Sequence, residues 1–313
     1  MTLTQLEYVL AVAKFRHFHR AAAACHVTQP TLSMQLQKLE LELDCILFDR
    51  SKSPVQPTAQ GEKIIEQARV VLRESKRLLA TADETQNEVS GSFHLGVIPT
   101  LATHLIPLFY RQFHRLYPDV ELMIDEMKTE DIIAALEKDE IDAGLLVTPL
   151  HHGQIIERSL YREEFYVFAS NEHPLLKKSK IEESQLQAEG LWLLNEGHCF
   201  RDQVLNICAM KKPGGAASSQ FQSGSLETLK NLVQQGEGYT LLPELMVDQL
   251  SIKDKKNVRP FKKPVPIREV SLVSSRLFYK EKIMDALEKT IIDNLPRNLF
   301  SHKRSNTSTV EIY

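Results

Sequence analysis

The chain has 313 residues, of which 42% are hydrophobic and 25% charged, with a formal net charge of -3. This is the balance of a soluble globular protein long enough for two or three domains, and near-neutral charge gives no sign of nucleic-acid binding by itself. Four cysteines are too few for a disulfide scaffold of this length, and no apolar run reaches membrane-spanning length.

The first residues, Met1-Thr2-Leu3-Thr4-Gln5-Leu6-Glu7, lack the basic start and apolar stretch of a signal peptide. The expected location is therefore the cytoplasm, with no membrane partner, where a disulfide is usually transient, catalytic or sensory. Neither Cys-x-x-Cys nor His-Glu-x-x-His occurs, so no metal site and no cofactor are expected.

Leu6, Val9, Leu10, Val12 and Ala13 recur at helical spacing over Leu3 to Phe15, and Ala21 to Ala24 predict a short alanine-packed helix. Val27-Thr28-Gln29 reads as a tight connector, and Pro30 suits the first turn of a helix that buries Leu32, Leu36 and Leu39. The other face of that helix shows Thr31, Ser33, Gln35 and Lys38. Two short helices around a turn, the second presenting small polar residues, form a helix-turn-helix. Gln, Ser and Thr bond base edges and phosphates, whereas Lys and Arg neutralise phosphates. Leu47 to Thr58 reads as a turn-rich hairpin with Arg50 and Lys52 near its tip, the composition of a wing. The residues expected to meet DNA are Gln29, Pro30, Thr31, Ser33, Gln35, Lys38, Arg50 and Lys52, although a solvated helix face would carry similar polar side chains.

From Ala59 to about Ser90 there is no proline, and a narrow apolar stripe runs through Ile64, Ile65, Ala68, Val71, Leu72, Leu78 and Leu79. This predicts one long linker helix suited to dimerisation and ended by Gly91. The pattern then changes to strands alternating with helices: strands over Phe93–Ile98, Val120–Met127 and Asp142–Val147, with helices over Leu101–Tyr117 and from a Thr129 cap to Glu137. Phe165–Ala169 starts another unit, Ser225 opens a helix, Tyr239–Pro243 and Val270–Val273 are later strands, and Glu281–Leu295 is the last helix. Strand–helix alternation implies a mostly parallel sheet with ligands at the C-terminal strand ends. Residues 301–313 are polar, and a poorly ordered tail is expected.

Two cysteines stand nine positions apart (208 - 199 = 9) within Gly197-His198-Cys199-Phe200-Arg201-Asp202-Gln203-Val204-Leu205-Asn206-Ile207-Cys208. Cys199 has His198 and Arg201 beside it, and Gly197 is a plausible helix-start residue. A nearby cation and a helix N-terminus both favour a thiolate. Cys208 follows Val204, Leu205 and Ile207 and reads as the buried thiol. If the segment is one helix, the two residues lie about 13.5 Å apart along its axis. A disulfide tolerates Cα separations up to about 6.8 Å, so helix and disulfide exclude one another. That is the outline of a switch. Two ordinary reduced cysteines, one of them in a core, remain an equally open reading of the pair alone.

The chain resembles the LysR-type transcriptional regulators over all but the tail. The resemblance rests on Ala21–Ala24, Val27-Thr28-Gln29-Pro30-Thr31-Leu32-Ser33, Gln37-Lys38-Leu39-Glu40, Leu47-Phe48-Asp49-Arg50 and Pro57-Thr58-Ala59-Gln60-Gly61. Within that family it resembles the hydrogen peroxide-sensing OxyR subgroup through Gly197-His198-Cys199-Phe200-Arg201-Asp202-Gln203 with Cys208, Ile98-Pro99-Thr100, Ser225-Leu226-Glu227-Thr228-Leu229 and Leu241-Leu242-Pro243. Met34, and Ala102-Thr103-His104 after Thr100, depart from the usual pattern.

The resemblance implies an α/β fold. A winged helix-turn-helix (1–58) would be followed by a linker helix (59–90) and a two-lobed periplasmic-binding-protein-like regulatory domain (91–300). Lobe I would be about 91–162 and 267–300, and lobe II about 163–266. It implies a peroxidatic Cys199, a resolving Cys208, and a peroxide pocket of Thr100, Thr129, His198 and Asp202; His198 and Asp202, four apart, would pair if helical.

The function implied is that of a DNA-binding activator of oxidative-stress genes rather than an enzyme. Its partners would be double-stranded promoter DNA, further copies of itself in a homodimer or homotetramer, RNA polymerase, hydrogen peroxide, and a thiol reductant such as glutaredoxin or thioredoxin. A metabolite-sensing LysR-type regulator with structural cysteines, a thiol peroxidase and a binding module without redox chemistry are the alternatives.

Overall fold

The structure, a computed structural model, describes residues 1–83, 89–208, 223–236, 238–301 and 307–310. The chain divides into two compact units, Met1–Asn87 and Glu88–Tyr313.

In the first unit α1 (Leu3–Phe15) starts from a capping box in which Thr2 accepts from the Gln5 N–H and the Gln5 side chain accepts from the Thr2 N–H. α2 spans Phe18–Ala24 and α3 Gln29–Glu42, the latter entered through the Thr28 cap with proline in its first turn. Leu32, Leu36 and Leu39 of α3 close a core with Leu6, Val9, Val12, Ala21 and Ala22. β1 (Phe48–Asp49) and β2 (Gln56–Pro57) pair antiparallel and form the wing.

α4 (Ala59–Asp83) follows at once. It crosses the wing so closely that a Cβ on Gly61 would lie 2.0 Å from the Leu47 carbonyl oxygen. It buries Ile65, Ala68 and Leu72 but leaves Leu78 and Leu79 exposed. The expected end of this helix near Ser90 falls partly on 84–88, outside the described residues.

The second unit opens with β3 (Gly91–Val97), α5 (Pro99–Leu116), β4 (Val120–Glu126), α6 (Thr129–Glu137) and β5 (Ala143–Thr148). β6 (Ile155–Ala169) then leads to α7 (Cys199–Ile207), α8 (Leu226–Gln235), β7 (Tyr239–Pro243), α9 (Glu244–Asp248), α10 (Ile252–Lys255) and β8 (Val258–Pro260). β9 (Val265–Ser275), α11 (Glu281–Asn294), α12 (Asn298–Ser301) and β10 (Thr307–Thr309) complete it.

The sheet order is β4-β3-β5-β9-β6-β7, with β8 on β6 and β10 on β9. β3 pairs parallel with β4 and β5, and the short β10 parallel with β9; β5–β9, β6–β9, β6–β7 and β6–β8, which make up the middle and far side of the sheet, are antiparallel. This corrects the mostly parallel sheet. Between β6 and β9 the chain builds a whole second layer of helices and strands rather than a single crossover helix, and it returns in the opposite direction.

β6 and β9 thread two hydrophobic clusters. One gathers Phe93, Leu95, Phe109, Phe113, Leu145, Leu272 and Met284, the other Phe165, Phe168, Phe200, Val204, Leu229 and Tyr239. Trp192, the chain's one tryptophan, is packed against the second, and its carbonyl accepts from the Thr240 hydroxyl at 2.9 Å.

The expected disordered tail is corrected in part. Thr307–Thr309 pair parallel with Val265–Ile267, and Val310 is buried in the second cluster. Alternating β-branched residues suit that sheet edge. Residues 302–306 and 311–313 lie outside the described residues.

Candidate functional site

The residues expected to read DNA sit on α3 and the wing. Gln29, Pro30 and Lys38 are exposed, and Thr31, Ser33 and Gln35 are half-buried. Four of these polar side chains are already engaged: Gln29 Nε2 donates to Ser33 Oγ at 3.0 Å, Gln5 Nε2 donates to Gln35 Oε1 at 3.2 Å, and the Thr31 and Thr28 hydroxyls share a hydrogen bond at 2.8 Å. Arg50 pairs with Glu40 of α3 at 2.7 Å and lies 5.3 Å from the Phe18 ring centroid, so it fixes the wing to the helix pair as well as offering charge. Lys52 stays at the exposed tip, bonded to Gln56 at 3.2 Å. Met34 stands 58% exposed among these residues.

In the second unit three helix starts border one small cavity. Thr100 is the second residue of α5, Thr129 the first of α6 and Cys199 the first of α7. Lys128, His198 and Phe200 complete its principal walls. The cavity measures about 10 Å³, room for about one water-sized molecule. Helix N-terminal ends carry positive partial charge, so this arrangement favours a thiolate and an oxyanion beside it. Gly197 is not the cap of α7: it adopts φ +85° one residue earlier, and His198 is the cap. Likewise Thr129 is the first helical residue rather than the cap, which leaves its hydroxyl free to line the cavity.

Both cysteines are reduced and each is 7% exposed, so the expected contrast between an open Cys199 and a buried Cys208 is absent. Burial pushes the Cys199 thiol above its usual value, against the pull of the Thr129 hydroxyl, the Arg268 guanidinium and the Phe200 N–H. The expected lowering by His198 and Arg201 is thereby corrected. Arg201 spends its guanidinium on the Leu194 carbonyl at 2.7 Å. His198 is pushed down by burial and by the Lys128 charge, which leaves it neutral near pH 7. Cys208 is pushed up to about 12 by burial, with the Glu183 carboxylate adding to the rise. It caps the C-terminal end of α7, so nine helical steps hold the two residues about 13.5 Å apart along the axis.

Of the four expected pocket residues, Thr100, Thr129 and His198 meet Cys199, and Asp202 does not. Asp202 lies on the exposed side of α7, and among the described residues it forms no ion pair with His198. The backbone of His198 is extended, so the four-residue helical spacing does not bring the two together.

Three buried polar groups escaped the sequence reading. Arg268 of β9 and Glu163 of β6 are 1% and 0% exposed and joined at 2.8 Å, and Arg268 Nη1 donates to Thr100 Oγ1 at 3.2 Å. The Arg268 guanidinium also stands 5.3 Å from the Phe200 ring centroid. Glu163 accepts in turn from the Leu245 N–H at 2.9 Å. Their signal was faint: each lies in a short charged run, Arg162-Glu163-Glu164 or Arg268-Glu269, of the kind that usually faces solvent. Gln203, fully buried on α7, donates to the Val310 carbonyl at 3.1 Å. The unusual His104 ties α5 to the end of α9, with Nδ1 2.7 Å from Gln249 Oε1.

Residues 3–62 match the bacterial regulatory helix-turn-helix protein model of the lysR family, and residues 86–295 match the LysR substrate binding domain. The chain is 39% identical over 273 residues to a hydrogen peroxide-inducible genes activator of Dickeya chrysanthemi, covering 87% of this chain and 89% of that one. It is 37% identical to the DNA-binding transcriptional dual regulator OxyR of Escherichia coli K12, with 87% and 89% covered. A full-length OxyR from Pseudomonas aeruginosa, carrying a cysteine-to-aspartate substitution, superposes with a TM-score of 0.78 at 36% identity, covering 93% of this chain and 98% of that one. These relatives are transcriptional regulators rather than enzymes, and no described helix is long and apolar enough to cross a membrane. The chain belongs to the LysR-type transcriptional regulators, within their OxyR subgroup.

Proposed function

We propose that this protein is a cytoplasmic transcriptional activator of oxidative-stress genes that senses hydrogen peroxide through a reversible Cys199–Cys208 disulfide. The observation that carries the reading is the water-sized cavity at Cys199, bordered by Thr100, Thr129 and His198, on a helix whose far end is Cys208. The Cys199 thiolate attacks one oxygen of the peroxide and breaks the O–O bond, giving a sulfenic acid; the departing hydroxide takes up a proton and leaves as water. Neutral His198 is suited to receive the thiol proton, and the Thr100 and Thr129 hydroxyls to orient the peroxide. Cys208 then displaces water from the sulfenic acid to form the disulfide. The balance is two thiols and one peroxide to one disulfide and two waters. A dithiol reductant of the glutaredoxin or thioredoxin kind reverses it by exchange.

The separation of the thiols along α7 requires that helix to unwind as the bond forms. The change passes to the spacing of paired DNA-reading heads in a homodimer or homotetramer joined through α4, whose Leu78 and Leu79 stand 73% and 65% exposed. Gln29, Pro30, Thr31, Ser33, Gln35 and Lys38 face promoter DNA, Arg50 and Lys52 its phosphates, and RNA polymerase is the onward partner.

The test is thiol mapping by mass spectrometry before and after a small excess of hydrogen peroxide. A Cys199–Cys208 bond reversed by reductant is expected, with Cys199→Ser unresponsive and Cys208→Ser halted at the sulfenic acid. Free thiols after peroxide, with a metabolite altering DNA binding in Cys199→Ser, would replace this reading by a metabolite sensor.

A further inference from the structure

A second, wider cavity of about 500 Å³ lies beside the first, with Glu126, Asp131 and Lys138 among its walls. The two share Pro99, Lys128 and His198. Pro99 is held in the first turn of α5, and His198 in the cap of α7. Lys128 is likewise in a cap, that of α6, but it differs in carrying a long, unbranched, exposed side chain. That side chain reaches across to the turn before Cys199, where Nζ donates to the Glu196 carbonyl at 3.3 Å. It lies on the bare backbone of Gly197: a Cβ there would be 2.7 Å from Lys128 Nζ and 3.3 Å from Cδ and Cε. The glycine therefore serves two needs, a φ of +85° and the room in which the lysine lies.

We propose that Lys128 is a specificity-determining gate between the two cavities, admitting hydrogen peroxide to Cys199 and excluding alkyl hydroperoxides. The proposal rests on the peroxide-sensing reading above. One hydrogen bond from an exposed lysine is a weak fastening, and such side chains change rotamer on the picosecond to nanosecond scale. A solute little larger than water passes during such openings. A tert-butyl group needs the side chain displaced throughout its passage and then meets a cavity of about 10 Å³. Among the other walls of that cavity, Ile98, Thr100, Thr129 and Phe200 are 2–5% exposed and belong to packed elements. The lysine is thus the movable part of the barrier.

The experiment measures the rate of Cys199–Cys208 oxidation in the full chain by hydrogen peroxide and by tert-butyl hydroperoxide, for the wild type, Lys128→Ala and Lys128→Met. Operator binding by the reduced variants serves as the folding control. Lys128→Ala is expected to raise the tert-butyl hydroperoxide rate relative to the hydrogen peroxide rate by about tenfold, the low end of what pocket shape contributes to discrimination. Lys128→Met, close in length and bulk, is expected to keep the wild-type ratio within about threefold. An unchanged ratio in Lys128→Ala overturns the gate. So does a wild type that both peroxides oxidise equally fast, or equal factors for both peroxides in both variants, which would mean that the charge acts on the thiol and not on entry. A wild type that hydrogen peroxide leaves reduced at Cys199 refutes the peroxide reading itself and the gate with it, a result seen without any variant.

Discussion

The two ends of α7 are equally buried and chemically unlike. Cys199 packs with the first hydrophobic cluster and Cys208 with the second, each 7% exposed. At Cys199 burial and, to a smaller degree, the Asp202 carboxylate raise the value against a hydroxyl, a guanidinium and a backbone N–H; at Cys208 burial and the Glu183 carboxylate raise it without such opposition. Accessible area therefore says little about which thiol reacts. What separates them is whether the surroundings offer a thiolate anything to bond, and only the Cys199 end does.

The largest expected effect comes from removing the cation at that end. Arg268→Met leaves the Glu163 carboxylate buried without its partner, which costs about 3–5 kcal/mol of stability in urea unfolding. Adding Glu163→Gln restores part of that stability. It should leave Cys199 alkylation by iodoacetamide slower than in the wild type, because the guanidinium is still missing. If the double variant alkylates at the wild-type rate, Arg268 is not what distinguishes the two ends.

The Cys208 end is tested by ending the chain after residue 306. This removes β10, the buried Val310 side chain and the acceptor of Gln203. A loss of about 2 kcal/mol is expected, with faster labelling of Cys208 and little change at Cys199. Equal acceleration at both thiols would show that the two clusters loosen together and that the comparison describes one environment.

The smallest effect belongs to Thr129→Val, which keeps the shape and removes the hydroxyl. The raised Cys199 value means that the thiolate fraction grows about tenfold per pH unit across the neutral range and levels off only above the folded pKa. The variant shifts that rise further toward alkaline pH, so at pH 7 its reaction with peroxide should be slower by about threefold, well under one pKa unit. A pH profile that coincides with the wild type would show that the hydroxyl contributes nothing to the thiolate.

What the sequence made legible depended on how local each cause is. The Thr28 cap, Pro30 and the leucine spacing of α3 are contained within one turn or two, and they produced the helix expected of them. The Ser225 cap of α8 did the same. Strand direction is not local. Phe165–Ala169 reads as a fresh unit because Arg162-Glu163-Glu164 interrupts the apolar run, yet all of it belongs to the single strand β6. That interruption is the middle of a strand passing from one cluster to the other, where Glu163 meets an arginine 105 positions away. Thr100 and Thr129 were reached through resemblance and their places after strands, and the helix starts that carry them do converge. Asp202 was reached through the same resemblance; its expected pairing with His198 by helical spacing is not made, because the helix begins one residue too late for that spacing to apply.

Trp192 has a use beyond its packing. It is the one indole in the chain, placed against the cluster that contains Cys208 and seven positions before Cys199 (199 - 192 = 7). Tryptophan emission from the unlabelled protein therefore originates at a single point beside the segment that joins the two thiols. The colour and intensity of that emission supply a clock for rearrangement of α7, read in the time of mixing and without a dye.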